Sequence, residues 1–191
     1  MTTTMLPRSR MPWLCAVLLA GGVSLGACTD DGDDPAQGPD AAPAQGPDAA
    51  PLQPGEVPSE AGALFSFLTA GGYVDFSSES AVHVSTGPHG RVRTFLNPAL
   101  ADSLAAQAVE HPAGAAAIKE LYAQDGVTLR GWAVSVKTQD LSDGGQGWYW
   151  YEVFSTTDGT SPVADGDGEA LCTGCHNNGG SDYILAPYPL Q

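Results

Sequence analysis

The sequence predicts a mainly β domain, an antiparallel sheet with one or two short helices, and three observations carry that expectation. Segments 81–86 and 91–96 alternate apolar and polar residues, and three more strand candidates follow them. Turn-forming groups such as Asp125-Gly126 and Asp143-Gly144-Gly145 separate them. Apolar residues at helical spacing are confined to two brief stretches.

Taken in order, residues 63–68 (Ala-Leu-Phe-Ser-Phe-Leu) read as one short helix stopped by Gly71-Gly72. Residues 81–86 and 91–96 alternate on either side of Gly87-Pro88-His89-Gly90, the pattern of a hairpin. Asn97 offers an N-cap with Pro98 at the first helical position, and Leu100, Leu104 and Ala108 follow at helical spacing until His111-Pro112. Residues 115–123, 127–138 and 147–156 are three further strands. The first is rich in alanine, a strong helix former, but the Asp-Gly turn and the β-rich segment after it favour a strand. From Ser161 onward the chain is Gly-rich and reads as irregular.

The chain of 191 residues holds 7 basic and 22 acidic residues, a formal charge of -15. Such a balance repels phosphate backbones, and the arginines are scattered, so nucleic acid is excluded as a partner. Arg8 and Arg10 precede an apolar or small-residue run over 11–27, the layout of a secretory signal and short for the roughly 20 residues of a membrane span. The run ends in Leu25-Gly26-Ala27-Cys28, which looks like a bacterial lipobox. Residues 1–27 are therefore expected to be a lipoprotein signal peptide, with Cys28 as the lipidation site. The alternative is an ordinary signal whose cysteine is incidental.

The octet Pro-Ala-Gln-Gly-Pro-Asp-Ala-Ala occurs at 35–42 and again at 43–50. With no basic and few large apolar residues, the segment 28–60 reads as a disordered acidic Pro/Ala/Gly linker, and 61–191 as the folded domain. The expected location is the cell envelope, periplasmic or at the outer surface, anchored to a membrane by lipid.

The Gly-rich tail contains Cys172-Thr173-Gly174-Cys175-His176. In a c-type haem site two thiols add to the vinyl groups and the adjacent imidazole reaches the iron, which sets this spacing. Structural zinc needs two more ligands, yet the other cysteines are Cys15 in the leader and Cys28. A thioredoxin-type pair wants a strand and a helix around it, and a plain disulfide leaves His176 without a role. The reading is one covalently attached haem c, with Cys172 and Cys175 as attachment points and His176 as axial ligand. Met1, Met5 and Met11 all lie in the leader, so no thioether is left for the sixth position. The iron is then five-coordinate with an open face, the favoured reading, or bis-histidine through His83, His89 or His111.

At this point the chain resembles a known family. The residues that carry the likeness are Pro88-His89-Gly90-Arg91-Val92-Arg93-Thr94-Phe95-Leu96-Asn97, His111-Pro112-Ala113-Gly114, and Ile118-Lys119-Glu120-Leu121-Tyr122. Val134-Ser135-Val136-Lys137, Gly147-Trp148-Tyr149-Trp150-Tyr151-Glu152, the haem motif and Asp182-Tyr183 complete it. In that order they look like the cytochrome P-460 family, with the c-prime-beta cytochromes as relatives. The resemblance implies a β-rich domain, commonly a homodimer, with a five-coordinate haem c. P-460 members oxidise hydroxylamine or bind nitric oxide at a haem cross-linked to a lysine; c-prime-beta members bind gases without that link.

Of the two lysines after residue 60, Lys119 shares strand parity with Ala117 and Leu121 and is the cross-link candidate. Lys137 has parity opposite to Trp132, Val134 and Val136 and is expected to face away from the core. For the distal pocket the resemblance implies a phenylalanine cap or a carboxylate, for which Phe95 and Glu152 are the candidates. The Trp148-Tyr149-Trp150-Tyr151 run should send indoles to one sheet face and phenols to the other, packing the core and a subunit interface. Two functions follow: an oxidoreductase acting on hydroxylamine or related small nitrogen species, or a nitric oxide or carbon monoxide binder. A bis-histidine electron carrier is a third.

Overall fold

The structure is a computed structural model that describes residues 52–191. The expected leader at 1–27, Cys28 and the linker up to residue 51 lie outside the described residues. Among the described residues, no helix is long and apolar enough to cross a membrane.

The first helix, α1 (Ala61–Thr69), begins where the Glu60 carboxylate accepts the N–H groups of Gly62 and Ala63 at 3.0 and 2.9 Å. Its buried residues, Leu64 and Leu68, lie one turn apart and face the sheet core. Gly71, at φ 71°, ends this segment as expected. The fold starts earlier than Ala61, however. Val57 is buried in the core, and the Gly55 carbonyl accepts a hydrogen bond from Asn97, so the residues from 52 to 60 belong to the domain rather than to a disordered linker.

One sheet of seven strands organises the rest: β1 (Ser77–Ser78), β2 (His83–Val84), β3 (Arg91–Leu96), β4 (Ala116–Tyr122), β5 (Leu129–Lys137), β6 (Trp148–Val153) and β7 (Ala164–Asp167). The order is β1-β3-β4-β5-β6-β7, every pairing is antiparallel, and β2 lies beside β1 along β3. The expected hairpin is β2–β3, and the three expected strands are β4, β5 and β6. The Ala-rich segment is a strand because it lies in the middle of the sheet, where neighbours on both sides satisfy its backbone.

Helix α2 (Pro98–Ala105) follows Asn97 as anticipated but stops at Ala106, with Gln107 in the left-handed region at φ 54°, well before His111. Asn97 is 1% exposed and uses its whole amide. Its Oδ1 accepts from Leu100 N–H (3.0 Å) and Ala116 N–H (2.8 Å), and its Nδ2 donates to the carbonyls of Gly55 (2.9 Å) and Gly114 (2.7 Å). One side chain thus joins the start of α2, the start of β4 and the N-terminal segment, which no apolar residue of that size can do.

The last quarter is not irregular. It contains β7 and a third helix, α3 (Ala170–His176), so the domain has three short helices rather than one or two.

Period-two alternation sorts the side chains onto two faces. Phe95, Ile118, Val134 and Tyr151 form one cross-strand row, and with Leu64, Leu68 and Trp132 they make the larger core beneath α1. On the other face run the rows Thr94-Lys119-Ala133-Glu152 and Leu96-Ala117-Ser135-Trp150. The end of that face is closed by Leu100 and Ala101 of α2, with Trp148 and Ile184. Its centre is less covered: Ala117, Lys119 and Ala133 sit on the two middle strands yet are only half-buried.

Candidate functional site

Helix α3 carries Cys172, Cys175 and His176 at positions i, i+3 and i+4, so one helix face presents both thiols and the imidazole. None of its residues is fully buried, Cys175 is exposed and Leu171 is 62% exposed. The two cysteines are free. Burial first, then the Glu152 and Glu169 carboxylates and Cys175, push the Cys172 thiol up to about 12. It is a protonated thiol at neutral pH, not the activated thiolate of a redox pair.

The imidazole of His176 packs against Trp150, ring centres 4.8 Å apart. Its Nδ1–H donates to the Tyr183 carbonyl at 2.7 Å, which leaves the Nε2 lone pair pointing elsewhere. Burial depresses its pKa, against an opposing pull from that hydrogen bond, so the ring is neutral at pH 7 as a metal ligand must be.

Two consecutive residues in the left-handed region, Asp182 (φ 47°) and Tyr183 (φ 70°), turn the chain so that the carbonyl meets the ring. Aspartate tolerates that conformation better than most residues, but tyrosine does so at a cost, and the surroundings must hold it. The Asp182 carboxylate supplies the hold. It accepts from Lys137 Nζ (2.7 Å), His111 N–H (2.8 Å) and Ser142 Oγ, with Trp148 Nε1 at 3.4 Å. Lys137 was expected to face away from the core. It does lie opposite Val136, but that end of the second face is closed as well, and Lys137 is 1% exposed. Strand parity gave the right side and the wrong burial.

The other expected residues divide by face. Lys119 and Glu152 stand on the same face as the motif, in one row of the sheet separated by Ala133. Burial lowers the Lys119 pKa, while the carboxylates of Glu79 and Glu152 oppose that. Phe95 lies on the opposite face, edge-on to Tyr73 with ring centres 4.9 Å apart and with the Arg93 guanidinium over its ring. It is core, and the sheet separates it from Cys172, Cys175 and His176. The aromatic run of β6 divides as expected, with Trp148 and Trp150 on the site face and Tyr149 and Tyr151 in the larger core. All four are at most 5% exposed within the single chain, so they hold little surface for a subunit interface.

The three remaining histidines separate clearly. His83 has Nδ1 on the Val84 carbonyl and Nε2 on Glu79, each at 3.0 Å. His111, 1% exposed, uses Nδ1 with Ser103 and Nε2 with the Ser181 carbonyl. His89, at the tip of the β2–β3 hairpin, places Nδ1 3.3 Å from Glu152 Oε1 and its ring centre 6.5 Å from that of His176. Sequence reading identified its turn but not its neighbours, because Glu152 and His176 come from far along the chain. Glu79 was also missed. This buried carboxylate accepts the Thr94 N–H at 2.6 Å on the strand beside Lys119.

The residues present fit a haem c. Thiols and a neutral imidazole share one helix face, and the sheet beneath has small, half-covered residues at its centre. Trp150 Nε1–H, buried beside His176, has no acceptor among the described residues, and a prosthetic group bearing carboxylates would supply one. No family model matches this chain, and no curated protein is significantly similar to it in sequence.

Proposed function

We propose that this protein is a c-type haem protein of the cell envelope that acts on small nitrogen species such as hydroxylamine or nitric oxide. The observation that carries the reading is the geometry around His176: a neutral imidazole with Nδ1 anchored by a carbonyl and Nε2 free, on the helix face that also presents two free cysteine thiols. Cys172 and Cys175 would form the thioethers and His176 would be the axial ligand. Bound there, a haem supplies a redox-active iron and a coordination position for a small ligand.

The chain's own contribution is positioning and proton handling. Asp182, fixed by Lys137, holds the turn that orients His176. Glu152, 8% exposed, stands on the motif's face as the group able to take a proton from a bound hydroxylamine, and its His89 partner offers the next site along. Lys119 lies between Glu79 and Glu152 as the candidate for a covalent link to the macrocycle. The gas-binding alternative draws less support, because its apolar cap, Phe95, belongs to the opposite face while two carboxylates and a lysine occupy this one. Anchoring through Cys28 and a homodimeric state remain part of the proposal.

The test is to express the full chain in a host competent for cytochrome c maturation. The expected product is coloured and carries the mass of one haem that denaturation does not remove. A Cys172→Ala/Cys175→Ala variant should be colourless yet folded, since neither side chain is fully buried. Colourless wild-type protein of bare polypeptide mass overturns the reading. In haem-loaded protein, Glu152→Gln should lower hydroxylamine turnover by at least about 100-fold while nitric oxide still binds. Unchanged turnover removes Glu152 from the chemistry.

A further inference from the structure

We propose that the exposed face of α3 docks a small cationic electron-carrier protein, to which electrons leave the site one at a time. The inference rests on the haem c reading and adds to it the kind of partner that drains the iron.

The chemistry requires an outlet. Oxidation of hydroxylamine releases more electrons than one iron can store, so an acceptor must meet the chain near the point of attachment. The step is a single electron transfer. The iron held by this chain goes from Fe(II) to Fe(III), the partner's oxidised metal centre is reduced by one electron, and no bond forms and no proton moves.

The helix supplies an unpartnered surface at that point. Ala170, Leu171, Gly174 and Cys175 are all exposed, and their spacing of i, i+1, i+4 and i+5 puts them on one side of α3. Leu171 is 62% exposed, and nothing lies within 4 Å of where a β-carbon on Gly174 would stand. A protein seated on this strip of small and apolar residues would touch Cys175, an attachment point of the motif, with no side chain larger than leucine in between.

Charge selects the occupant. Residues 138–191 hold eight acidic residues and neither lysine nor arginine. Asp167, exposed, and Glu169, half-buried, lead directly into α3. Exposed Asp143 belongs to the turn 143–145, which touches the helix: a β-carbon on Gly145 would lie 2.6 Å from Thr173 Cγ2. Among the described residues Arg130 is the one fully exposed base, and it stands at the other end of β5 from Lys137. An apolar centre with an acidic rim fits a carrier whose metal centre is ringed by lysines. A second copy of this chain would bring the same negative charges and be repelled.

The test uses the matured full chain, with haem attachment verified by mass, reduced and mixed with a lysine-rich cytochrome c. The second-order rate should fall at least about 10-fold between about 10 mM and about 0.3 M salt. The same cytochrome with its lysines succinylated should react at least about 10-fold more slowly at low salt. Asp167→Lys should slow the reaction at least about 3-fold, whereas Asp75→Lys, equal in net charge but beside Tyr73 and Phe76 of the larger core on the opposite face, should not. Carbodiimide should join lysines of the acceptor to Asp143, Asp167 or Glu169, as read by peptide mass mapping. Rates indifferent to salt, equal effects of the two variants, or cross-links confined to other acids each overturn the proposal and leave the haem c reading standing. Protein that never acquires haem takes down both. Should Asp167→Lys fail to fold, the cross-link map of the wild type decides by itself.

Discussion

Asp182→Ala is expected to lower the unfolding free energy by about 3 to 5 kcal/mol, because it leaves the Lys137 ammonium buried without its counter-ion. The pair is direct: Lys137 Nζ donates to Asp182 Oδ2 at 2.7 Å, the side chains are 0% and 2% exposed, and the Trp148 ring lies 5.1 Å from the ammonium. The same substitution removes acceptors from His111 N–H and Ser142. Urea denaturation should report a fall in midpoint with little change in slope, and a loss below about 1 kcal/mol would show that the pair contributes little.

Asp182 also predicts a pH dependence. Burial alone pushes its carboxyl up, but hydrogen bonds from Lys137, Ser142 and His111 N–H together hold the pKa below its ordinary value of 3.8. A group whose folded pKa is depressed stabilises the fold above its unfolded pKa. Its contribution should therefore be complete at neutral pH, begin to decline near pH 4, and disappear as pH falls through the lower folded value. Asp182→Asn should flatten that part of the acid limb. Because Asp182 precedes the residue whose carbonyl holds His176, the proposed haem c site predicts that both variants also alter the absorption spectrum of haem-loaded protein.

Gly131→Ala is expected to be comparably severe, costing more than about 3 kcal/mol or preventing folding. A β-carbon there would lie 1.9 Å from the Val153 carbonyl oxygen, at a backbone φ of 157°. The obstacle is the main chain of the neighbouring strand, so relief requires β5 and β6 to separate, and their pairing positions Glu152 and Trp150. Gly144→Ala is the control. It has a positive φ of 65° but nothing within 4 Å of the added carbon, so it should cost only about 1 kcal/mol. Equal thermal midpoints for the two variants would refute the steric account.

Much of the sheet was legible because β4 and β5 are rich in apolar residues interrupted by polar ones, β6 is a run of aromatic strand formers, and glycine turns such as Asp125-Gly126, where Gly126 has φ 68°, bound them. Asn97-Pro98 announced α2 for the same local reason. β7 was illegible because Ala-Asp-Gly-Asp has little intrinsic strand preference; it forms by pairing with β6. α3 was missed because a helix that fully buries none of its residues leaves no periodic apolar pattern to read. The site was partly legible. Parity put Lys119 on the correct face, and carrying it across the β3–β4 register, where Thr94 pairs with Lys119 and Phe95 with Ile118, separates Phe95 from it. His89 and the Lys137–Asp182 pair depend on contacts between distant segments, which no local pattern encodes.

The two borders of the sheet bear on how copies of this protein can meet. One border is broken into the two-residue strands β1 and β2, and the other is β7, where Asp165 and Asp167 flank Gly166. Short pieces give an incoming strand little to template on, and paired negative charges repel an identical edge. Continuous sheet extension from chain to chain, the route to fibrils, is thereby disfavoured. A twofold partner would have to dock on helices or loops rather than add to the ladder.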